Sequence, residues 1–291
     1  MLTGKSVLIV GGDARYIELI NQLSLFDATV YAIGFEEAEE NLDNVILTNQ
    51  KRLVKDHIDA IILPITGLDQ DGYADAHFND SSIHLTEEWL NEFPDHCLLF
   101  TGIMTPYLSE LSEFTGRIIA FMDRDDVAIY NSIPTVEGAI MLAIQHTDFT
   151  IHSSNVTILG FGRVGKTLVR PFQGLGAKVS VYARRNDDLA RIYESHATTI
   201  EEGQLIEAVK GCNILINTVP DLIVTPNVIR ALPEDCLIID LASKPGGVDF
   251  RYAKKRGVDA MLAPSLPGMV APKTAGKILA HVIQTVMHNH E

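Results

Sequence analysis

Residues 155–185 constrain the fold more than any other part of the chain, because three glycines stand there between two apolar runs. Residues 156–159 form a short apolar run typical of a buried strand, and Gly160, Gly162 and Gly165 follow in the pattern G-x-G-x-x-G. Residues 166–173 carry apolar side chains at helical spacing, and residues 178–182 are typical of a second strand. This order predicts a strand–turn–helix–strand unit that binds a dinucleotide at the helix N-terminus.

In such a unit each glycine has its own physical role. Gly160 allows the tight turn, Gly162 lets the backbone approach a pyrophosphate, and Gly165 lets the helix pack closely on the strand. We expect Arg163 and Val164, which lie between the second and third glycines, to contact the dinucleotide as well. The alternative is an ordinary strand–helix turn that is rich in glycine.

The end of the second predicted strand distinguishes the two nicotinamide dinucleotides. An NAD site has Asp or Glu there, to accept a hydrogen bond from the ribose 2′-hydroxyl. This chain has Ala183, Arg184 and Arg185, so two guanidinium groups stand where a 2′-phosphate would lie. The pattern therefore predicts NADP. The alternative is that the two arginines belong to a solvated turn.

Length, charge and cysteine content limit the class of protein. With 291 residues, two domains are expected, and a net charge of −15 argues against nucleic-acid or membrane-surface binding. The three cysteines show no metal-ligand spacing and favour buried thiols in a reducing compartment. The first residues are typical of a strand and turn rather than a signal peptide, and no apolar run has membrane-spanning length. We therefore expect a cytoplasmic protein.

The chain contains an internal repeat, since residues 7–19 align without gaps on residues 156–168. Asp13 stands where Gly162 does, and Tyr16 stands where Gly165 does. A carboxylate at the pyrophosphate position repels phosphate, and a tyrosine at the third position hinders close packing. The first copy is thus expected to keep the fold without dinucleotide binding.

The turn of the first copy is then available for another ligand. A helix N-terminus beside an arginine suits a substrate carboxylate, and a long polar loop follows the predicted strand at residues 58–63. Alternatively, Asp13 only caps its helix and Arg15 is solvated. The predicted substrate contacts in this half are Gly11, Gly12, Arg15, Thr66 and Gly67, with Asp13 as a candidate catalytic residue.

A long apolar helix is predicted over residues 134–146, with a proline near its start, directly before the dinucleotide unit. Asn131, just before this helix, is a further predicted substrate contact. Glu137 is either a charge near the helix start or a carboxylate in a cleft, available as a catalytic group. We predict a substrate domain over residues 1–131, a linking helix over 132–150, a dinucleotide domain over 151–268, and a C-terminal helix over 269–291 that returns to the first domain.

The nicotinamide end of the cofactor is expected at the carboxyl ends of the later strands. Two loops reach that edge, and their predicted cofactor contacts are Thr218, Val219, Pro220, Asp240 and Ser243. Lys244 is the leading catalytic candidate, because its ammonium could pair with a substrate carboxylate or protonate an oxygen. The alternative is a solvated lysine in a turn. Ser265 and Gly268, after the last strand, are further predicted substrate contacts. No histidine or carboxylate pattern suggests a metal.

Several motifs together resemble one family: GGDARYIEL, NSIPTVEGAIMLAI, GFGRVG, ARR, INTVP, IDLASKPGGVDF and APSLPGMVAPKTAG. Across essentially the whole chain they look like the A subunits of dipicolinate synthase from spore-forming bacteria. More loosely, the domain order is similar to that of 2-hydroxyacid dehydrogenases and adenosylhomocysteine hydrolases. The expected fold is α/β, with two doubly wound parallel-sheet (Rossmann-like) domains joined by a long helix.

The resemblance implies a two-subunit enzyme that makes dipicolinate during sporulation, on a branch of the diaminopimelate and lysine pathway. Its implied substrate is the small dicarboxylate 4-hydroxy-tetrahydrodipicolinate, which loses water and a hydride. The A subunit resembles the NADP-dependent dehydrogenase half, and the partner B subunit resembles a flavoprotein, so an oligomer is expected.

Two other functions stay open. The 2-hydroxyacid dehydrogenases use Arg, Glu and His around the nicotinamide, but here the turn after the last predicted strand, residues 265–268, has no histidine. The other possibility is a protein that senses NADP and regulates a partner without catalysis.

Overall fold

A computed structural model of the chain describes residues 1–38, 42, 44–111, 114, 116–243 and 245–290. Two compact units make up the chain. The first unit comprises Met1–Asn131 and Ala271–Glu291, and the second comprises Ser132–Val270.

The first unit is built around a parallel sheet of six strands in the order β3-β2-β1-β4-β7-β8. Residues of β1 alternate between two buried clusters: Val7 and Ile9 pack on one face of the sheet, and Leu8 and Val10 on the other. Both faces are therefore covered, as in doubly wound sheets. The strands are β1 (Ser6–Val10), β2 (Thr29–Ile33), β3 (Val45–Leu47), β4 (Ala60–Ile62), β7 (Leu98–Thr101) and β8 (Ile118–Ala120), with a separate antiparallel pair β5 (Tyr73–Ala74) and β6 (Ile83–His84).

The helices of the first unit include one that comes from the end of the chain. The helix α11 (Pro272–Asn289) packs against α1 (Ala14–Leu25), where Gly276 makes a close approach possible: a Cβ there would lie 2.3 Å from the carbonyl oxygen of Arg15. Leu279 and Ile283 of α11 join the buried cluster that contains Val7. The helices are α1 (Ala14–Leu25), α2 (Glu87–Asn91), α3 (Pro106–Glu110) and α11 (Pro272–Asn289).

The helix α4 (Asp125–Gln145) runs from the first unit into the second, and it begins nine residues before the predicted start at Pro134. Proline is therefore inside the helix rather than near its start. Asp125 and Asp126 lie in the first turn, where negative charge is favourable, and Arg124 pairs with Asp126. The polar run of residues 123–126 thus leads directly into the helix.

The length of α4 also corrects the expectation that no apolar run has membrane-spanning length. Within the described residues, α4 is long and apolar enough, by length and composition, to span a membrane. Core helices of globular proteins meet the same criteria, and Val136, Ala139 and Ala143 of α4 are buried with the strands of the second unit.

The second unit repeats the strand order of the first: β11-β10-β9-β12-β13-β14, all parallel. The prediction of two doubly wound α/β domains is therefore confirmed. The elements are β9 (Asn155–Leu159), α5 (Arg163–Gly174), β10 (Lys178–Tyr182), α6 (Asn186–Glu194), β11 (Thr198–Ile200), α7 (Leu205–Ala208), β12 (Ile214–Asn217), α8 (Pro226–Ala231), β13 (Leu237–Asp240), α9 (Phe250–Arg256), β14 (Ala260–Leu262) and α10 (Leu266–Val270).

Candidate functional site

The glycine turn between β9 and α5 has the geometry that its spacing predicts. Gly160 has a φ of +93°, which lies in the region that favours glycine. A Cβ at Gly165 would lie 2.2 Å from the carbonyl oxygen of Gly160, so only glycine allows this approach of helix to strand. Gly162 is the N-cap of α5, and a Cβ there would meet no atom within 4 Å. The N-terminus of α5 is therefore open to a ligand.

Two cavities flank this helix N-terminus, and Gly162 lines both. The larger, of about 480 Å³, is lined by Gly160, Phe161, Gly162, Lys166, Tyr182, Ala183, Arg184, Arg185, Asp188, Glu202, Val219, Asp221, Leu222 and Ile223. The smaller, of about 250 Å³, is lined by Gly162, Arg163, Val164, Thr218, Pro220, Leu241, Ala242 and Ser243. A dinucleotide has two nucleoside halves joined by a pyrophosphate, and this pair of cavities matches that division.

The two arginines after β10 differ in their partners. Arg185 donates hydrogen bonds to both carboxylate oxygens of Asp187, one of them at 3.0 Å, and its Nε lies 3.9 Å from Asp188. The hydrogen bond from Arg185 lowers the pKa of Asp187 below its ordinary value. Within the part of the chain that the structure describes, no residue hydrogen-bonds to or pairs with the Arg184 guanidinium. Arg184 is therefore the more available cation.

The loop after β12 is held by its own side chains. The Thr218 hydroxyl donates to the Leu159 carbonyl at 2.8 Å, so its proton is not available to a phosphate. Asn217 is fully buried, and its carboxamide donates to the Val219 carbonyl and accepts from the Val219 N–H. These bonds fix the backbone beside the smaller cavity.

The side chain of Asp240, a predicted cofactor contact, faces the interior of the second unit. Asp240 is fully buried and accepts hydrogen bonds from Asn217, from the Ala242 N–H and from the Gly247 N–H. A Cβ at Gly246 would lie 2.7 Å from its Oδ2. The Asp240 carboxylate therefore holds the loop after β13 from the interior of the unit, through the backbone N–H groups of Ala242 and Gly247.

Apart from Asp240 and the buried Gly165, the predicted cofactor contacts all line one of the two cavities. The predictions missed further lining residues, notably Lys166, Asp188, Glu202 and Asp221. Lys166 could have been found, since it directly follows the third glycine. Asp221 could have been found as well, since it directly follows Pro220. Glu202 could not, because only the fold brings its loop to this edge of the sheet.

In the first unit, Asp13 caps α1 and holds Arg15. Its carboxylate accepts from the Arg15 backbone N–H at 3.0 Å and from the Arg15 Nε at 2.9 Å. Burial raises the pKa of Asp13, but the hydrogen bonds and charge of Arg15 outweigh burial and hold that pKa below its ordinary value. Arg15 is buried, so the alternative of a solvated arginine is wrong. A substrate carboxylate would have to share Arg15 with Asp13.

The glycine turn of the first unit is closed by the loop that follows β4. The Gly12 N–H donates to the Asp75 carbonyl and the Gly11 N–H to the Ile33 carbonyl, so neither N–H can bind the predicted carboxylate. The ring of Tyr16 lies against Gly12, where a Cβ would meet it at 2.4 Å, and its hydroxyl donates to Leu63.

A small cleft of about 40 Å³ is left beside this turn. Gly67 is buried against Thr105. Thr66 is exposed and lines the cleft, donating to Asp75 at 2.7 Å. The side chains of Arg15 and Thr66 remain predicted substrate contacts.

Four further predicted residues, Glu137, Asn131, Ser265 and Gly268, do not line these cavities. Glu137 is exposed in the middle of α4, so the reading as a charge near the helix start is wrong. Asn131 is half-buried in the same helix. Ser265 has a φ of +59°, and its carbonyl accepts from the Gly268 N–H at the start of α10, where a turn was expected. Lys244 lies outside the described residues.

Among the described residues, no group of three or more His, Cys, Asp or Glu side chains is arranged so that it could hold a metal ion. The cysteines Cys97, Cys212 and Cys236 are free thiols and are buried.

Two family models match the chain. Residues 6–122 match the N-terminal domain of the A subunit of dipicolinate synthase, and residues 135–290 match the C-terminal domain of alanine dehydrogenase/PNT.

The chain is also similar to individual A subunits of dipicolinate synthase over nearly its whole length. The A subunit of dipicolinate synthase from Bacillus subtilis (strain 168) is 44% identical over 288 residues, 99% of this chain and 97% of that one, and its crystal structure has a TM-score of 0.93. The crystal structure of the corresponding A subunit from Bacillus halodurans is 49% identical, covers 99% of each chain and has a TM-score of 0.94. D-lactate dehydrogenase from Escherichia coli shares the fold alone, at 10% identity and a TM-score of 0.60 over 97% of this chain and 95% of that one.

The fold, the glycine turn and the alanine dehydrogenase/PNT match define a dehydrogenase-like protein, for which the match implies a nicotinamide cofactor. The chain belongs to the family of dipicolinate synthase A subunits. Because its relatives are each one subunit of a synthase, the family implies a partner subunit.

Proposed function

We propose that the chain is the NADP-dependent dehydrogenase subunit of a dipicolinate synthase. In this proposal it converts 4-hydroxy-tetrahydrodipicolinate to dipicolinate, with loss of water and transfer of a hydride to NADP. The observation that carries the proposal is the pair of cavities meeting at Gly162, in a chain 44% identical to a dipicolinate synthase A subunit over nearly its whole length.

The residues of the second unit fit a dinucleotide. The space beside Gly162 leaves room for a pyrophosphate at the N-terminus of α5, where N–H groups and the helix dipole favour negative charge. Arg184 would meet the 2′-phosphate in the larger cavity, and Arg163 and Ser243 would face the nicotinamide half in the smaller one. Bound NADP supplies the hydride acceptor.

The rest of the chemistry is elimination and proton transfer. The substrate first loses one water molecule, and the resulting dihydro ring then loses a hydride and a proton to become aromatic. The protein must orient two carboxylates, exclude water and accept that proton. Asp13, Glu137 and Lys244 stay the candidate proton acceptors, and Arg15 and Thr66 the candidate carboxylate ligands.

The family also suggests the setting of the reaction. We propose that the partner is a flavoprotein-like B subunit, that the two form an oligomer, and that they act in the cytoplasm of a sporulating cell. The three free buried thiols support a reducing compartment.

Incubation of the full chain with freshly generated 4-hydroxy-tetrahydrodipicolinate and NADP⁺, with and without the B subunit, tests the reaction. We expect NADPH absorbance and a new pyridine absorbance to rise together, in equal amounts. No NADPH under either condition would refute the proposal.

Two controls separate the other functions. A 2-hydroxyacid dehydrogenase would reduce NADP⁺ with simple 2-hydroxy acids in the absence of the dicarboxylate. A sensing protein would bind NADP and change the activity of the B subunit without consuming NADP.

A further inference from the structure

We propose that Lys166 is a determinant of cofactor specificity, and that its ammonium group binds the 2′-phosphate of NADP together with Arg184. Arg185, in contrast, acts mainly on the turn between β10 and α6. This inference rests on the proposed use of NADP.

Lys166 lies in the first turn of α5, where its N–H donates to the Gly162 carbonyl at 2.9 Å. Its side chain lines the larger cavity together with Ala183, Arg184 and Arg185, which follow β10. The 2′-hydroxyl of the adenosine ribose lies at the end of this strand in dinucleotide-binding folds of this type. Lys166 thus lines the same cavity as the position that distinguishes NADP from NAD.

The contacts of the Lys166 ammonium group are weak enough for it to leave Asp188 and bind a phosphate. Its Nζ lies 3.9 Å from Asp188 Oδ1 and 5.5 Å from the centre of the Phe161 ring, and its side chain is 57% exposed. An ion pair at this distance and exposure contributes little, so exchanging Asp188 for a phosphate has a small cost. Phosphate offers a doubly charged acceptor, with which an ammonium forms a charge-assisted hydrogen bond.

The charge balance of the cavity shows why a second cation is needed. Three acidic side chains line the same cavity as its three basic ones: Asp188, Glu202 and Asp221. Arg185 is already engaged by Asp187. If Arg184 were the only cation facing the phosphate, it would act against nearby carboxylates that repel the same group. Lys166 offsets that repulsion.

The test measures binding of the adenosine half alone, so that it does not depend on catalysis. Calorimetric titration of the full chain with 2′,5′-ADP and with 5′-AMP isolates the 2′-phosphate, since the two ligands differ only in that group. For Lys166→Met we expect the Kd of 2′,5′-ADP to rise about tenfold, as for one charge-assisted hydrogen bond, and the Kd of 5′-AMP to change less than about twofold.

Three matched variants sharpen the comparison. Lys166→Arg keeps the charge and should restore most of the affinity for 2′,5′-ADP. Asp188→Asn removes a repelling carboxylate and should tighten 2′,5′-ADP more than 5′-AMP. Lys210→Met removes an exposed lysine that pairs with Glu207 and does not line the cavity, so it should leave both affinities unchanged.

The outcomes separate this inference from the proposed cofactor. If the unsubstituted chain bound 2′,5′-ADP no more tightly than 5′-AMP, the NADP proposal would fail, and the role of Lys166 with it. If the unsubstituted chain preferred 2′,5′-ADP and Lys166→Met kept that preference, only the Lys166 inference would fail. Equal losses for both ligands would likewise reject it, because they would indicate a general disturbance of the turn.

Discussion

The Asn217 side chain donates a hydrogen bond to the Asp240 carboxylate at 2.8 Å, and both residues are fully buried. The pair joins the carboxyl ends of β12 and β13. Asn217 also bonds to the backbone of Val219, and Asp240 accepts from the Gly247 N–H. Two loops at this edge of the sheet, including residues that line the smaller cavity, thus depend on one buried polar contact.

Because of this network, we expect the substitution Asp240→Asn to lower the stability of the protein strongly. Asp240→Asn keeps the shape but removes the charge that accepts two backbone N–H groups. We expect the free energy of unfolding to fall by about 2–4 kcal/mol, because buried donors lose a charged acceptor. Urea denaturation measures the change.

The control is Asp235→Asn, at an exposed residue just before β13, which should change the free energy of unfolding by less than about 0.5 kcal/mol. If Asp240→Asn were as stable as this control, the carboxylate would not hold the loop.

A second prediction compares two glycines in the same helix, α5. Gly165→Ala forces a methyl group against the Gly160 carbonyl oxygen, with which it would clash at 2.2 Å. We expect a loss of about 2–4 kcal/mol in the free energy of unfolding, and loss of dinucleotide binding, because the helix must move away from β9.

Gly174→Ala, at the last residue of α5, is the matched control. A Cβ there meets no atom within 4 Å, so alanine should stabilise the protein by about 0.5–1 kcal/mol through its higher helix propensity. Thermal melts and NADP titration of both variants make the comparison. Similar melting temperatures would contradict the close packing at Gly165.

The sequence predicted the fold well because its signals there are local. Glycine spacing and the alternation of strands and helices identify the second unit, and the repeat between residues 7–19 and 156–168 identifies the first. Prediction failed for Pro134, because a proline can lie inside a helix when the surrounding packing holds it. The direction of the Asp240 side chain could not be predicted, because it depends on the loop that folds over it. The contribution of Glu202 to the cavity lining was also hidden from the sequence, since it depends on which loops meet in space.

A third prediction concerns the pH dependence of stability through Asp13. Its pKa in the folded protein lies below the ordinary value of 3.8, so the Asp13–Arg15 pair stabilises the fold above pH 3.8, and this contribution is lost as the pH falls through the folded-state pKa. Asp13→Asn keeps a good helix cap but leaves the buried Arg15 without its carboxylate. We therefore expect it to be less stable than the unsubstituted chain by a constant amount between about pH 5 and 8, with the difference shrinking below about pH 4.

Urea denaturation across this pH range measures the difference. Asp56→Asn, at an exposed aspartate of the same unit, is the control and should show no such difference. A gap between Asp13→Asn and the unsubstituted chain that did not narrow in acid would mean that the charge of Asp13 adds nothing beyond its cap.

The last prediction separates the two arginines after β10. Arg184 has no partner among the described residues, whereas Arg185 is held by Asp187, so the two should contribute unequally to cofactor binding. We expect Arg184→Ala to raise the Kd of NADP about tenfold and to leave that of NAD within about twofold, and Arg185→Ala to have the smaller effect on NADP.

The double variant Arg184→Asp with Arg185→Ala should weaken NADP binding far more than NAD binding, because an introduced carboxylate repels the 2′-phosphate and can accept a hydrogen bond from a 2′-hydroxyl. Fluorescence titration with NADPH and NADH gives the ratio of the two Kd values for the unsubstituted chain and for each of the three variants. Equal losses for NADP and NAD would show that these arginines do not select the cofactor, and a larger effect at Arg185 would show that Asp187 releases it to the phosphate.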